Sequence, residues 1–239
     1  MDSRHLFQSS RLVRLFSVYA FLSIVGCAMV LFRIVKTEYV SHLYLIWNLF
    51  LAWLPFLLAL LLLSVDKKNI AKSTKSFLLL LIGAVWLFFF PNAPYMITDY
   101  IHLGIVDFYK MSDGKFVGYN PDLLAWYDLA MISLFIFIGV IIGYISLFLV
   151  QALVAQKKGA LMGYIFVVGV LFLSSFGIYL GRFIRWNTWD IVMNPLSLLV
   201  SVVENIHAQA VMFTLLFGGF LTLLYIALHT LLQWHKSSI

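Results

Sequence analysis

Charged residues are scarce in this sequence. They make up 11% of its 239 residues, whereas soluble domains carry about 25%. Hydrophobic residues reach 63%, and the mean hydropathy is +1.00. The polar residues are too few to form the water-exposed surface of a molecule of this size. This composition excludes an ordinary soluble domain. No room remains for a further soluble domain beside the apolar segments, so the sequence predicts a single membrane domain over residues 1–239.

Cysteine and the familiar catalytic signatures are also nearly absent. Cys27 stands alone in an apolar run, so it forms no intramolecular disulfide and no cysteine metal cluster, and we interpret it as a small buried hydrophobe. Phosphate-loop, HExxH, GxSxG and GxGxxG patterns are missing. The net charge of +6 comes without a basic-aromatic module and lies in short loops, so it indicates membrane orientation and no nucleic-acid partner.

Six apolar stretches are long enough to cross a bilayer, which takes about 20 helical residues. They are Leu12–Phe32, Leu43–Val65, Phe77–Tyr95, Leu124–Val150, Leu161–Gly181 and Ala208–Leu232. Long apolar runs without strand alternation can pair every backbone group in lipid only as helices. We therefore expect an all-α, polytopic transmembrane helix bundle with about six spanning helices. The first stretch has no convincing small-residue cleavage site after it, so we expect an uncleaved helix.

Basic residues divide unevenly between the two sides of this predicted bundle. With the amino end inside, ten of the 16 lysines and arginines lie inside, and eight of the ten acids lie outside. The positive-inside rule then predicts a cell-membrane protein with both termini in the cytoplasm. Short interfacial or re-entrant helices are expected on the extracytoplasmic side, at Tyr100–Tyr109 and Pro195–Ile206, with a turn-rich stretch at Met111–Lys115.

Polar residues that are costly in lipid collect at the extracytoplasmic ends of the predicted helices, whereas the inner halves read as nearly pure hydrocarbon. The candidate acids, imidazoles and guanidiniums are Asp99, His102, Asp128, Arg182, Arg185 and His207, with Asn48, Asn92, Tyr95, Asn187, Asp190 and Glu204 as supporting polar residues. Their concentration at one membrane depth predicts a functional site facing the extracytoplasmic side.

Three motifs in these segments resemble a known family. They are Phe89–Tyr95 with Thr98-Asp99 and His102; Trp126-Tyr127-Asp128; and Gly177–Phe183 with Arg185-Trp186-Asn187 and Trp189-Asp190. Together they are similar to domain-of-unknown-function family 1361, a group of bacterial multi-pass membrane proteins. The resemblance covers most of the chain and implies a membrane fold, but it supplies no reaction.

Two pairs of a carboxylate and a histidine share one helical spacing. Asp99 and His102 are three residues apart, and so are Glu204 and His207. Such pairs on facing helices hold metals in some bundles, and oxygen and imidazole ligands suit zinc, manganese or iron. Asp128 would add a ligand or a general base. The alternative is that these are ordinary helix ends at the membrane interface, so a divalent metal is one of two interpretations.

Two arginines follow the fifth predicted helix. Arg182 and Arg185 are about one turn apart, and their planar guanidiniums suit a lipid phosphate or a lipid-linked anion. An ion-pair network is an equally good interpretation, in which either arginine neutralises Asp128, Asp99 or Asp190, because an acid near the hydrocarbon requires a partner. The two interpretations do not exclude each other.

Three functional hypotheses follow. The first is an enzyme, a hydrolase or transferase that acts on a lipid or lipid-linked envelope substrate, with or without a metal. Acid-base or metal-binding roles would fall to Asp99, His102, Asp128 and His207. The anion would be bound by Arg182 and Arg185. The second is a transporter or channel, which the apolar inner halves disfavour. The third is a non-catalytic assembly or sensory subunit in which the polar groups only fix helix geometry.

Overall fold

The computed structural model describes residues 9–105, 108–185 and 207–237. Its helices are α1 (Ser9–Thr37), α2 (Leu43–Lys67), α3 (Lys72–Phe89), α4 (Asn92–Tyr95), α5 (Leu123–Lys158), α6 (Ala160–Tyr179) and α7 (Ala208–Ser237). A 3₁₀ helix, Met96–Ile105, continues α4, and a π-helical turn, Leu180–Ile184, continues α6. Strands β1 (Tyr109–Ser112) and β2 (Lys115–Tyr119) form an antiparallel hairpin.

Six spans in the described part of the chain are long and apolar enough to cross a membrane, and they coincide with the six predicted stretches. The predicted all-α, six-helix class is therefore confirmed. The third span is interrupted, because α3 ends at Phe89 and the chain restarts as α4 and the 3₁₀ helix. Pro91 and Pro94 cause this break, since proline has no amide hydrogen and clashes with the preceding helical turn.

Helix α5 forms the centre of the bundle. It is 36 residues long, and 72% of its most apolar window is buried, against 11% for α1 and 17% for α7. It packs against α1, α2 and α6, while α3 packs on α2 and α7 packs on α6. The long run Leu129–Val150 contains no charge, and this uniformly apolar surface lets α5 be buried on several sides.

The two ends of the bundle differ in chemistry. One end, here the lysine end, joins α2 to α5 through an ion pair between Asp66 and Lys157. We call the other end the polar end. It contains the last turns of α1 and α6, the first turns of α2 and α5, and the 3₁₀ helix. Arg33 contacts Asp128 there, and Asn48 and Arg182 both contact Asp99. The predicted candidate residues that the structure describes lie at this polar end.

The proline-rich break fits closely against two helices. Ala93 is fully buried, and a Cβ added to Gly143 on α5 would lie 2.8 Å from the Ala93 Cβ. A Cβ on Gly139 would lie 3.2 Å from the Ala93 carbonyl oxygen. Gly177 on α6 is similarly close to Pro91, at 3.3 Å. Glycine at these positions lets the α4 backbone rest almost directly on α5 and α6, and so fixes the depth of the segment that follows it.

The connection between the 3₁₀ helix and α5 departs from the prediction. The predicted interfacial helix Tyr100–Tyr109 is wrong in type and in its boundaries, since a 3₁₀ helix ends at Ile105 and Tyr109 begins a strand. The turn-rich stretch becomes the tip of the hairpin, where Asp113 and Gly114 both have positive φ, 50° and 73°. Asp-Gly favours this tight hairpin turn, so the predicted turn is present, but the two strands that flank it were not predicted. The predicted helix Pro195–Ile206 lies outside the described residues.

We expect Gly143→Ala to destabilise the protein, because the new methyl group overlaps the Ala93 side chain where neither backbone can easily move. Overpacking of this kind costs about 1–3 kcal/mol. The measurement is thermal unfolding of the purified protein in detergent. Gly169→Ala on α6 is the matched control, because in the described structure nothing lies within 4 Å of its added Cβ. Equal unfolding temperatures for the two variants would contradict this account of the break.

Candidate functional site

Among the described residues, Asp99 is the most deeply buried charged residue of the polar end, with no exposed surface. It lies on the 3₁₀ helix directly after the break. Its Oδ2 accepts a hydrogen bond from Nδ2 of Asn48 on α2 at 2.9 Å, and its Oδ1 accepts one from Nη2 of Arg182 at 2.7 Å. Both carboxylate oxygens are therefore held, and three distant parts of the chain meet at one side chain.

Arg182 is fixed on several sides. Its Nε donates to Oγ1 of Thr98 at 2.9 Å, and its guanidinium carbon lies 4.2 Å from the centre of the Tyr95 ring. Its side chain is only 15% exposed. The Thr98 hydroxyl in turn donates to the Tyr95 carbonyl at 2.6 Å, which orients its oxygen toward the arginine. Asn48, Tyr95, Thr98, Asp99 and Arg182 thus form one connected unit, here the Asp99 cluster.

His102 lies at the rim of this cluster, one 3₁₀ turn beyond Asp99. Its Nε2 is 3.9 Å from Oδ1 of Asp99, which is beyond a hydrogen bond, and its side chain is 31% exposed. Its ring lies 4.3 Å from the ring of Tyr44 on α2. The predicted Asp99–His102 pair is therefore on one face, with the carboxylate inside and the imidazole facing outward.

A second histidine approaches the same rim from the α1–α2 connection. Nδ1 of His42 lies 2.8 Å from the Ser41 hydroxyl, within hydrogen-bond distance. Partial burial lowers the pKa of His42, Asp128 opposes that shift, and the positive charges of Arg33 and His102 add to it. The charges of Asp128, Arg33 and His102 therefore all act on the His42 ring.

Asp128 has a partner that the sequence analysis missed. Nε and Nη2 of Arg33 donate to its two carboxylate oxygens at 2.8 and 3.0 Å, forming a bidentate pair between α1 and α5. Nη1 of Arg33 also donates to Thr37 at 2.6 Å. Arg33 was assigned to a loop, but α1 continues to Thr37, so Arg33 lies within the helix. In the described structure Arg182 pairs with Asp99. This pair is one of those that the predicted ion-pair network allowed.

The remaining predicted residues lie in separate places. His207 begins α7, where its Nδ1 accepts from the Ala210 amide at 3.4 Å and its Nε2 lies 3.3 Å from the Tyr179 hydroxyl on α6. Arg185 is exposed and has left-handed backbone geometry, with φ of 63°. Asn92 donates to the Phe89 carbonyl at 2.8 Å and so belongs to the break itself. Three supporting residues lie outside the described residues: Asn187, Asp190 and Glu204.

The structure describes some residues of the predicted metal site and does not describe others. Among the described residues, no three side chains of histidine, cysteine, aspartate or glutamate converge as a metal site would require. Asp99 and His102 are adjacent, but His207 contacts Tyr179, and Glu204 is not described. A metal site built from Asp99, His102, Glu204 and His207 stays a prediction from the sequence.

The half of the bundle toward the lysine end, predicted to be nearly pure hydrocarbon, contains a small group of buried polar side chains. Gln151 on α5 is buried and accepts a hydrogen bond from the Tyr225 hydroxyl on α7, and the Tyr144 hydroxyl lies 3.3 Å from Nδ1 of His229. The sequence spacing of these four residues is consistent with this contact between α5 and α7. Tyr144 and Gln151 are seven residues apart, and Tyr225 and His229 are four apart, so each pair shares one helix face.

An apolar cavity of about 40 Å³ lies between that group and the break. Its lining includes Pro94 and Ile97 from the segment that carries the Asp99 cluster, Gly143 and Leu147 from α5, and Leu221 from α7. Pro94 and Ile97 therefore face hydrocarbon, whereas their neighbours Tyr95 and Thr98 face Arg182. The broken segment separates a polar site from an apolar space.

A family model described as "Protein of unknown function (DUF1361)" matches residues 47–224, a stretch that contains Asn48, Asp99, Asp128 and Arg182. No curated protein and no solved structure matches the chain.

We expect Asp128→Leu to cost about 3–5 kcal/mol of folding free energy, because it leaves the Arg33 guanidinium without its carboxylate in a largely buried place. The double variant Arg33→Met with Asp128→Leu should be more stable than Asp128→Leu alone. Thermal unfolding in detergent measures both. Lys157→Met is the control, since the exposed Lys157–Asp66 pair should contribute at most about 1 kcal/mol. A double variant less stable than the single one would contradict the pairing energetics.

Proposed function

The chain belongs to the DUF1361 family, and because that family's description assigns no function, we propose from the site itself that the protein is a membrane-embedded enzyme. We propose a hydrolase or transferase acting on a lipid or lipid-linked substrate. The observation that carries this proposal is the pairing of a fully buried, fixed carboxylate, Asp99, with an outward-facing imidazole, His102, at the end of an apolar bundle.

The chemistry proposed for this pair is general acid–base catalysis. Arg182 and Asn48 keep the Asp99 carboxylate in place, and Asp99 would orient His102 once the two side chains come within hydrogen-bond distance. His102 would take a proton from an attacking water or acceptor hydroxyl and return it to the leaving group. The 3.9 Å separation has to close by about 1 Å to form a hydrogen bond, and catalytic contacts commonly tighten in this way when substrate binds.

The proposed substrate class follows from the surroundings of the pair. The site lies where apolar spanning helices end. A molecule with a polar head and an apolar chain matches this position, with its head at the site and its chain along the helices. Arg182, with 15% of its side chain exposed, and the exposed Arg185 are the proposed contacts for an anionic head.

Asp128 takes a positioning role in this proposal. Both of its oxygens are occupied by Arg33, so it is not available as a free base in this arrangement. It holds α1 against α5 and thereby sets one wall of the site. His207 stays a proposed participant through its contact with Tyr179, one turn before Arg182 on the same helix.

A transporter is the second candidate, and one observation favours it. Buried polar side chains occur at both ends of α5, Asp128 near one end and Gln151 near the other, as a polar route across a membrane would require. The two candidates differ in their use of Gln151. A transporter would lose its function with Gln151→Leu, whereas an enzyme confined to the polar end would keep it.

We further propose that the protein lies in the cell membrane with both termini in the cytoplasm and the polar end outside. The support is the division of the lysines and arginines, ten against six, which follows the positive-inside rule.

We expect His102→Gln to lower activity about 100-fold or more, since loss of a general acid–base group typically costs about 10²–10⁴-fold. The measurement is mass spectrometry of lipids and lipid-linked intermediates from cells that lack the gene and carry each variant. Deletion and His102→Gln should accumulate the same species, whereas wild type and the control His42→Gln should not. The enzyme proposal is wrong if folded His102→Gln restores the wild-type lipid profile.

The orientation is tested by labelling single cysteines in a Cys27→Ala background. We expect Ser112→Cys, on the hairpin of the polar end, to react with an impermeant maleimide in intact cells. Ser73→Cys, at the lysine end, should react only after the membrane is permeabilised, because lysine-rich loops are retained in the cytoplasm. The reverse labelling pattern would invert the proposed topology.

A further inference from the structure

The β1–β2 hairpin has two chemically different faces. The partners Tyr109–Tyr119 and Met111–Phe116 lie on one face, because cross-strand partners point the same way and alternate residues share a face. Ring contacts of 5.3 to 6.1 Å among the three aromatic residues confirm this grouping. We call these four residues the aromatic face.

The opposite face is polar and cationic. It carries the partners Lys110–Gly118 and Ser112–Lys115. The pairing shifts by one residue between Lys110 and Met111, which leaves Val117 as a bulge residue without a cross-strand partner. This shift does not change which paired residues lie on each face. With two lysines and the single acid Asp113 at its tip, the hairpin carries a net positive charge.

The aromatic face is open in the described structure. The exposed fractions are 56% for Tyr109, 60% for Met111, 55% for Phe116 and 66% for Tyr119. Isolated two-stranded hairpins are marginally stable in water, so an open face of this kind calls for a surface to rest on.

The base of the hairpin is attached to the end of a spanning helix. The Trp126 indole, in the first turn of α5, donates to the carbonyl of Asn120 at 2.9 Å and contacts the Phe108 ring at 5.5 Å. Only residues 120–122 separate β2 from α5. The hairpin therefore leaves the bundle at the first turn of the apolar helix α5.

We propose that the hairpin is a membrane-interface anchor whose aromatic face lies in the lipid headgroup layer, with Lys110 and Lys115 contacting anionic lipids. Tyrosine rings are favoured in that layer because their apolar body and polar hydroxyl match its two sides. Lysines on the opposite face can extend to phosphates beside the buried rings. The hairpin lies in the connection between the 3₁₀ helix that carries Asp99 and His102 and α5.

A fluorescent probe on single cysteines, in a Cys27→Ala background, tests this placement. The purified full chain is reconstituted in phosphatidylcholine vesicles with and without phosphatidylglycerol, and is labelled at Met111→Cys or, as the matched control on the polar face, at Ser112→Cys. The Met111 probe should be quenched several-fold more by doxyl-labelled lipid than the Ser112 probe, and several-fold less by aqueous iodide. Lys110→Gln with Lys115→Gln should weaken that protection only in vesicles containing phosphatidylglycerol.

Two outcomes would overturn the anchor. Equal iodide quenching at both positions would place the aromatic face in water. Protection of the Met111 probe from iodide and from doxyl lipid alike would show that protein, such as a second copy of the chain, covers the face. Neither outcome bears on the proposed reaction, since the anchor rests on the spanning helices and not on His102 chemistry.

Discussion

The polar end of the bundle depends on one physical requirement, that a carboxylate removed from water be matched by a cation and by hydrogen-bond donors. Asp99 has no exposed surface, and its oxygens are held by Asn48, 51 residues before it, and Arg182, 83 residues after it. A buried carboxylate without these partners would be strongly destabilising, so this requirement joins α2, the 3₁₀ helix and α6 at one point. The positions of Tyr95, Thr98 and His102 follow from that junction.

A second ion pair extends the same principle across the bundle. Arg33 and Asp128 bind α1 to α5 with bidentate geometry, whose two parallel hydrogen bonds fix orientation as well as distance. Two arginines matched with two aspartates leave the charge of the polar end nearly balanced. His102, more exposed than Asp99 and not hydrogen-bonded to it, is then the titratable group best placed to change its protonation without breaking the structure. This distinction separates positioning groups from the reacting group in the proposed mechanism.

The sequence predicted the spanning helices well because each required an apolar run of membrane length, and that requirement is local. It also predicted that Asp99, His102, Asp128 and Arg182 would lie at one end, since alternating helix direction determines which ends meet. Partner choice was harder, because it depends on how helices rotate and pack. Arg33 was missed as the partner of Asp128 for this reason, and the α5–α7 contact of Gln151 with Tyr225 was missed as well. The turn at Asp113-Gly114 was predicted from local residue types, but the short strands on either side of it were not.

The proline break explains how an apolar span can support polar chemistry. Residues three apart share a face of a 3₁₀ helix, so this segment can keep apolar and polar side chains on different faces. Here the close contact of Ala93 with Gly143 fixes the segment's depth, while Pro94 and Ile97 face the apolar cavity and Thr98 and Asp99 face Arg182. The glycines of α5 and the buried ion pair therefore act together, one by packing and one by charge. A change in either would displace the Asp99 carboxylate from Asn48 and Arg182.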